Sequence, residues 1–292
     1  KTAAEATDDA VNIVACSDDE TKVEFGKTDA EAGKNAWNAM QLAIEEYRDE
    51  LTDVLVLAPV NELAFKQAGV NYPGLSSLIL SELGESGDVA LSVLVKDGLR
   101  IALATENVLM KDVASVLTKD LIKEKMKVFN QSLKVDFDIS APRIAVLSLN
   151  PGSVLNDTTG QEEQEIIKPA LEELVADKVI CYGPYSIDSL LETCNYTHFD
   201  GIFAMYHDQG QVPFKCIAMD SGVNYTANLP VIRTSPVHGT AYDRVGIGNA
   251  SEESFRNALY LACDIFNCRK QYEQLSKNRL KKQDVEISGH VD

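Results

Sequence analysis

Short apolar runs rich in β-branched residues alternate with helical patterns along most of the 292 residues. This alternation is typical of an α/β fold built on a mixed, mostly parallel sheet. One interruption is expected where two runs flank Lys96-Asp97-Gly98, because an Asp-Gly pair favours a tight hairpin and hence two antiparallel strands. The predicted strands cover residues 11–15, 53–58, 91–95, 99–104, 144–149, 201–205, 223–226 and 231–234.

The helical patterns have recognisable ends. Thr28 and Glu31 have the spacing of a capping box, and Trp37 falls on the apolar face that follows, which favours a core position over a cofactor platform. Thr118 is expected to cap a later helix. The end of the chain, residues 271–292, is charged and polar, and we expect it to fray. Further helices are predicted over residues 162–176 and 252–266.

The composition excludes several classes of partner. The chain carries 27 Lys and Arg against 45 Asp and Glu, a formal charge of −18 at pH 7, which argues against binding to nucleic acid or to an anionic membrane surface. Its apolar runs are far shorter than the roughly 20 residues of a membrane-spanning helix. The six cysteines show neither a CxxC pair nor the spacing of a disulfide framework, so we expect reduced thiols and a cytoplasmic location.

Polar residues near the ends of the last strands could carry chemistry. His207 follows a predicted strand and stands beside Asp208, so it is open to three interpretations: a metal ligand, a general acid or base, or a hydrogen-bonded residue at a strand end. Lys215, Asn224 and Arg233 come from three successive elements and could converge as ammonium, amide and guanidinium on one phosphate. The alternative is that they are unrelated surface residues. In so acidic a chain, cations among apolar neighbours favour a local anion site.

Several longer motifs, taken in order along the chain, resemble one known family. They are APVNELAF (58–65), NYPG (71–74), ALAT (102–105), LNPG with GQEE (149–163), AMYHDQGQVPFK (204–215), GVNYT (222–226), LPVIRTSPVHGTA (229–241) and ASEESFRNALYLA (250–262). Over about residues 11–274 the chain resembles the 4-hydroxythreonine-4-phosphate dehydrogenase family of the pyridoxal phosphate pathway.

The resemblance implies a two-lobed α/β/α fold related to the isocitrate dehydrogenase group. The first lobe would cover residues 1–140, the second 141–270 and a polar tail 271–292, with the lobes open to being discontinuous in sequence. A homodimer is implied, with the active site in the interlobe cleft near the dimer interface. The implied reaction uses NAD to oxidise the secondary alcohol of 4-phosphooxy-L-threonine, after which the β-keto acid loses carbon dioxide. A divalent metal such as zinc, magnesium or cobalt would polarise the alcohol oxygen.

The same resemblance implies roles for individual residues. His207 corresponds to one of three histidine ligands of the metal, and we take it together with Asp208 and Lys215 as the expected catalytic residues. The remaining assignments are Ser76, Lys215, Asn224 and Arg233 for the substrate, chiefly its phosphate, and His238, Gly239, Thr240 and Ala241 for the adenosine half of NAD.

The departures from the family's pattern are concentrated at the positions of the implied metal ligands. Asn107 and Gly152 stand where the family has its other two ligand histidines, and a single imidazole cannot hold a metal tightly in a site built for three. Glu62 replaces a lysine, and Leu75-Ser76 replaces the His-Thr of a substrate motif. The family's opening strand and Gly-rich loop, which help to build the cleft, are absent ahead of Lys1, and we expect an upstream segment to be missing.

Two functions are therefore open. One is a NAD-dependent dehydrogenase with an altered or oxygen-rich metal site. The other is a catalytically degenerate homologue that binds a phosphorylated small molecule, or NAD, because the losses spare the phosphate and adenosine motifs. Glu106, Asp157 and Asp208 could bind a harder ion such as magnesium through oxygen, although solvated loop acids are the simpler interpretation. For both functions we expect zinc binding to be weak.

Overall fold

Eight strands form the centre of the molecule. The computed structural model describes residues 2–17, 24–72, 74–85, 88–151, 160–192 and 194–277. The strands within these ranges are β1 (Val54–Val56), β2 (Leu91–Lys96), β3 (Leu99–Leu103), β4 (Arg143–Leu147), β5 (Ile180–Tyr185), β6 (Gly201–Ala204), β7 (Val223–Ala227) and β8 (Ile232–Pro236).

All eight strands belong to one sheet, in the order β1-β8-β7-β2-β3-β6-β4-β5. Four of the seven neighbouring pairs are parallel, and the antiparallel ones are β8 with β7, β7 with β2, and β2 with β3. The β2–β3 hairpin turns at Asp97, whose φ of 49° lies in the left-handed region. The predicted α/β class, the mostly parallel sheet and the antiparallel interruption are therefore confirmed.

Helices connect most of the strands, and their first residues show why they begin where they do. Thr118 accepts the Leu121 N–H at 3.2 Å and caps a helix as predicted. The capping box at Thr28 is wrong, because Asp29 accepts the Ala32 N–H at 3.3 Å and helix α1 begins one residue later. The helices are α1 (Ala30–Arg48), α2 (Glu62–Gln67), α3 (Leu75–Leu83), α4 (Val113–Val116), α5 (Lys119–Val135), α6 (Lys168–Ala176), α7 (Ile187–Glu192), α8 (His207–Ala218) and α9 (Glu253–Ser276).

The sheet is packed on both faces. Phe129 of α5 and Ile265 of α9 belong to a core on one face, to which α6 also contributes. On the other face Phe214 of α8 packs with the alternate residues of β2 and β3. A third cluster around Ile44 and Leu78 joins α1, α2 and α3 at the β1 end of the sheet. None of the helices in the described ranges combines the length and apolar character that a membrane crossing requires.

A buried polar network holds β7 on the face of the sheet opposite α8. The Tyr225 hydroxyl donates to Asp136 Oδ2 at 2.7 Å, and Arg269 Nε donates to Asp136 Oδ1 at 2.7 Å. Burial raises the pKa of Tyr225 well above its ordinary value, with the Asp136 carboxylate adding to the effect, so the phenol keeps its proton. Because side chains alternate along a strand, Asn224 and Thr226 face the opposite side, towards α8.

Several boundaries differ from the sequence-based predictions. Residues 11–15 form no strand, and Val11 is 94% exposed. His207, expected at a strand end, is the first residue of α8. The predicted helix over 162–176 opens with a π-helical segment, Glu163–Ile167. The strand β5 was not predicted.

The C-terminal end of the described chain also differs from expectation. Helix α9 continues to Ser276, so residues 271–276 are helical rather than frayed. The remainder of the predicted tail, beyond residue 277, lies outside the described residues. Strands from both predicted lobes share the one sheet, and the division at residue 140 stays a prediction.

Candidate active site

A cleft of about 190 Å³ lies on the α8 side of the sheet, over β2, β7 and β8. Its lining includes residues from the first turns of α2, α3 and α8 and from the segment that follows β3. We call the buried residues Ser92, Thr226 and Arg233, with the adjoining Ser76, the floor of the cleft. We call the more exposed residues Glu62, Glu106, Asn107 and His207 the mouth of the cleft.

Strand register assembles the floor. Thr226 of β7 pairs with Ser92 of β2 on one side and with Arg233 of β8 on the other, so the three side chains stand in one row. Arg233 Nη1 donates to Thr226 Oγ1 at 3.1 Å. Ser76, in the first turn of α3, brings its hydroxyl within 3.2 Å of the Thr226 hydroxyl. A guanidinium and three hydroxyls therefore meet at one point of the sheet.

Arg233 is buried, and it forms no ion pair with any residue that the structure describes. The residue is 2% exposed, and its Nε has no hydrogen-bond partner within that part of the chain. Burial lowers the pKa of Arg233 to about 10, with the Glu106 carboxylate opposing the shift. The guanidinium therefore remains charged at neutral pH. A buried charge with an open donor is costly unless a ligand completes its hydrogen bonds.

Unpartnered polar atoms concentrate in this cleft. Within the described ranges, five buried side-chain nitrogen and oxygen atoms have no hydrogen-bond partner. Three of them, on Gln211, Asn224 and Arg233, belong to residues that line the cleft. Since buried polar groups in folded proteins are nearly always paired, this concentration makes the cleft the candidate site for a polar ligand.

The first turn of α3 adds further donors. Gly74 precedes the helix with a φ of 157°, and no side chain caps the helix start. A Cβ on Gly74 would stand 2.8 Å from the Asn107 Nδ2, so only glycine fits there without a shift. The open N–H groups of Leu75, Ser76 and Ser77, all of which line the cleft, complement an anion. The floor and the start of α3 therefore present donors that complement an oxyanion.

At the mouth, His207 is oriented by its neighbour. His207 Nδ1 lies 2.7 Å from Asp208 Oδ1, and the imidazole is about half exposed where it lines the cleft. When Nδ1 carries the proton, this bond leaves Nε2 as the free basic nitrogen. Asn107 lines the same mouth, at the position that the resemblance gives to a second metal-ligating histidine.

The described residues do not fit a transition-metal site. Within those ranges, no three His, Cys, Asp or Glu side chains are grouped so that they could hold a metal ion. His207 and Asn107 supply one imidazole and one amide, a donor set too small and too weak for tight zinc binding. Gly152 and Asp157, which the sequence analysis considered at this site, lie outside the described residues.

Two residues that sequence analysis did not assign tie the loops around His207 together. Gln209 Oε1 accepts the Met205 N–H at 2.7 Å, and its Nε2 donates to the Ser148 carbonyl at 2.6 Å. Glu163, 1% exposed, accepts the N–H groups of Leu149 and Asn150 at 2.8 Å each. These hydrogen bonds hold the C-terminal ends of β4 and β6 together. Both residues belong to recognisable segments of the sequence, QEE and HDQ. No local sequence pattern, however, predicts which groups they hydrogen-bond.

The predicted site residues are brought together only in part. Ser76, Asn224, Arg233 and His207 all line the cleft. Lys215 is exposed near the end of α8 and is not among the lining residues. The segment His238-Gly239-Thr240-Ala241 forms a partly exposed loop directly after β8, outside the cleft lining. The roles of all these residues stay predictions.

Comparison with known proteins gives a consistent result. The family model of the pyridoxal phosphate biosynthetic protein PdxA matches residues 1–262. A 4-hydroxythreonine-4-phosphate dehydrogenase of Bacteroides thetaiotaomicron is 51% identical over 291 residues, covering 100% of this chain and 80% of that protein. One from a Sulfurihydrogenibium species is 37% identical over 248 residues, covering 85% of this chain and 76% of that protein.

A solved structure agrees in fold. The 4-hydroxythreonine-4-phosphate dehydrogenase of Klebsiella pneumoniae superposes with a TM-score of 0.71 at 32% identity, covering 82% of this chain and 73% of that one. The resemblance inferred from the motifs is thereby confirmed. Since the family model covers most of the chain, and a relative sharing half of its residues aligns along its whole length, the chain belongs to the PdxA family of pyridoxal phosphate biosynthetic proteins.

Proposed function

We propose that this chain is a dehydrogenase of pyridoxal phosphate biosynthesis that oxidises 4-hydroxythreonine 4-phosphate with NAD. The observation that carries the proposal is Arg233, charged and buried with an open Nε at the floor of the cleft. A phosphate is the ligand that such a floor suits, because it offers several acceptor oxygens to a guanidinium, to hydroxyls and to helix N–H groups. The relatives' shared name supports the same substrate.

The floor holds the substrate by its phosphate. Arg233 supplies the charge, Ser76 a hydroxyl and the first turn of α3 its N–H groups, while Asn224 reaches the same cleft from β7. Binding of the phosphate at the floor directs the rest of the substrate towards the mouth. Lys215, two turns along α8 from His207, is proposed to approach the phosphate or the reacting carbon from the exposed side.

At the mouth, His207 is proposed as the proton acceptor. Oxidation of the secondary alcohol sends a hydride from its carbon to the nicotinamide, and the hydroxyl proton passes to a base. The Asp208 carboxylate holds the His207 Nδ1, so Nε2 is free to accept that proton. The resulting β-keto acid then loses carbon dioxide. No step of this proposal passes through a metal, because the described donor set does not suit one.

The NAD is proposed to contact the loop after β8. His238 is exposed, and the position that a Cβ would take on Gly239 has no atom within 4 Å, so the loop leaves open space for a nucleoside. NAD, when bound, accepts the hydride. Thr240 and Ala241 complete the loop, which starts just beyond the strand that carries Arg233.

We further propose a cytoplasmic homodimer. The six cysteines are free, which suits a reducing compartment. Phe255, Leu259 and Tyr260 on α9 are large apolar side chains that remain more than a third exposed, as expected of a surface that a second copy covers. Light scattering should give twice the mass of one chain, and a monomer would contradict this assembly.

The experiment that tests the function is NADH formation with 4-phosphooxy-L-threonine, followed with carbon dioxide release. Activity is expected with the phosphorylated substrate and not with 4-hydroxythreonine itself, because Arg233 then has no partner. An Arg233→Ala variant serves as the inactive control. Tight binding of the phosphorylated compound without any NADH would instead identify a degenerate homologue that keeps the ligand and has lost the chemistry.

A further inference from the structure

The cleft carries opposite charges at its two ends. Arg233 is the only Lys or Arg among its described lining residues, and it lies at the floor. The mouth presents two carboxylates, Glu62 in the first turn of α2 and Glu106 directly after β3. Within the described ranges neither carboxylate forms an ion pair shorter than 4 Å, in contrast to Glu173, which meets Lys119 and Lys123. Glu106 does interact electrostatically with Lys125 of α5, which lies outside the cleft lining.

We propose that Glu62 and Glu106 form the ammonium-binding half of the site. They would recognise the amino group of a phosphorylated amino compound whose phosphate lies on Arg233. This inference rests on the proposed function, which places the phosphate at the floor, and adds the residues that select an amino substrate over its hydroxy counterpart.

Charge balance is the first argument for this assignment. A ligand with only anionic groups would meet one guanidinium and two carboxylates, so its second anionic group would be repelled at the mouth. An ammonium a few bonds from the phosphate is attracted to the two glutamates and offsets the repulsion that the ligand's own carboxylate meets there, an attraction that the hydroxy counterpart lacks. The Glu106 carboxylate also opposes the lowering of the Arg233 pKa by burial, which shows that the two ends of the cleft interact electrostatically.

Hydrogen-bonding capacity gives an independent argument. The unpartnered atoms of Gln211 and Asn224 in this cleft are both side-chain amide oxygens, which accept hydrogen bonds. A phosphate cannot satisfy them, because it has no donor to offer at neutral pH beyond a single proton. An ammonium group has three N–H donors. The cleft therefore needs donors from its ligand as well as acceptors.

The residue at position 62 sets the sign of the charge on one side of the mouth. The resemblance described in the sequence analysis implies a lysine at this position, whereas this chain has Glu62. The substitution reverses the charge at the mouth while the floor keeps its guanidinium. Because Glu62 is exposed, the change costs little in folding, so the carboxylate is free to serve the ligand.

Isothermal titration calorimetry without NAD tests the proposal. The probes are 4-phosphooxy-L-threonine and 2,3-dihydroxy-4-phosphooxybutanoate, which has a hydroxyl in place of the amino group. The native chain should bind the amino compound at least about tenfold more tightly. Glu62→Gln and Glu106→Gln should each lower that ratio, and the double variant should bring it close to one. Glu31→Gln, at an exposed glutamate in the first turn of α1, is the matched control and should leave the ratio unchanged.

The possible failures are distinguishable. Equal binding of both probes by the native chain, or an undiminished preference in the double variant, would overturn the assignment of Glu62 and Glu106 and leave the phosphate site standing. Absence of binding by either probe would remove the phosphate site, and with it both the proposed function and this inference. Circular dichroism melting of each variant verifies that the fold is retained.

Discussion

The floor and the mouth of the cleft differ in how their residues are held. Ser92, Thr226 and Arg233 of the floor lie in register on three neighbouring strands and are buried. Glu106 and Asn107 of the mouth follow a strand end and are partly or fully exposed, and His207 begins a helix. The floor keeps the residues to which the family motifs imply a phosphate-binding role, whereas the mouth departs from the implied set of metal ligands.

The difference in burial indicates which end of the cleft tolerates substitution. A substitution at the floor alters strand packing and leaves a buried polar atom unpaired, so it costs stability as well as binding. A substitution at an exposed mouth position changes the ligand's environment at almost no cost to folding. The mouth is therefore where the chain can alter its metal or substrate preference while the fold and the phosphate site persist.

The largest effect is expected at the floor, from Arg233→Ala. Loss of a buried charge-assisted contact to phosphate should weaken binding of 4-phosphooxy-L-threonine by at least about 30-fold, equivalent to about 2 kcal/mol. The measurement is the ligand-induced rise in melting temperature, which depends on the ratio of ligand concentration to dissociation constant. Unchanged shifts would remove the basis for a phosphate site.

Two companion variants sharpen that test. Arg233→Met keeps the length and apolar stem of the side chain, so it separates loss of charge from loss of packing. Lys215→Ala removes an exposed cation on α8, and we expect less than about 1 kcal/mol of lost binding, as for solvent-exposed ion pairs. An equal loss for Lys215→Ala and Arg233→Ala would show that Lys215 contributes as much to phosphate binding as the buried guanidinium.

An effect on stability rather than on ligand binding is expected when the hydrogen bonds of Gln209 beside the mouth are removed. Gln209→Ala leaves the Met205 N–H and the Ser148 carbonyl buried without partners. At about 1 to 3 kcal/mol for each of the two unpaired groups, the free energy of unfolding should fall by about 2 to 6 kcal/mol. Urea denaturation measures the loss. Gln164→Ala, at an exposed glutamine, is the control and should change little. A near-neutral Gln209→Ala would show that the loops around His207 are not held by this side chain.

Local patterns were sufficient where neighbours in sequence decide the structure. The Asp97-Gly98 turn, the Thr118 cap and most strand centres follow from short-range rules, and all three are observed. Of Lys215, Asn224 and Arg233, which were expected to converge, Asn224 and Arg233 line one cleft together with Ser76, whereas Lys215 is not among the lining residues. Their roles in binding stay predictions. In the turn and the cap, the sequence within a few residues contains the determining interaction.

Long-range packing decided the features that were missed. Gly210 and Pro213 disfavour a helix, yet α8 begins at His207. A Cβ at Gly210 would stand 2.5 Å from Leu103 Cδ2, so this glycine permits the close approach of helix to sheet that stabilises α8. Gln209 and Ser148 are 61 residues apart, and no local pattern connects them. Tertiary contacts of this kind override propensity and are invisible in a single sequence.

The last and most direct test of the mouth is the substitution Asn107→His, whose expected effect is a modest gain in zinc affinity. A second imidazole beside His207 should tighten zinc binding by about tenfold, equivalent to about 1.4 kcal/mol, relative to a native chain that binds zinc weakly. Asn228→His is the matched control, because Asn107 and Asn228 have φ values of 43° and 59° and both variants therefore place histidine in the same left-handed conformation. Zinc titration at pH 7.5 is the measurement, because metal binding requires neutral imidazoles.

Binding of 4-phosphooxy-L-threonine by the Asn107→His variant should be unchanged, since the floor is untouched. Stoichiometric zinc retained tightly by the native chain, or equal gains in both variants, would contradict the view that the mouth lost its metal chemistry while the floor kept its phosphate site.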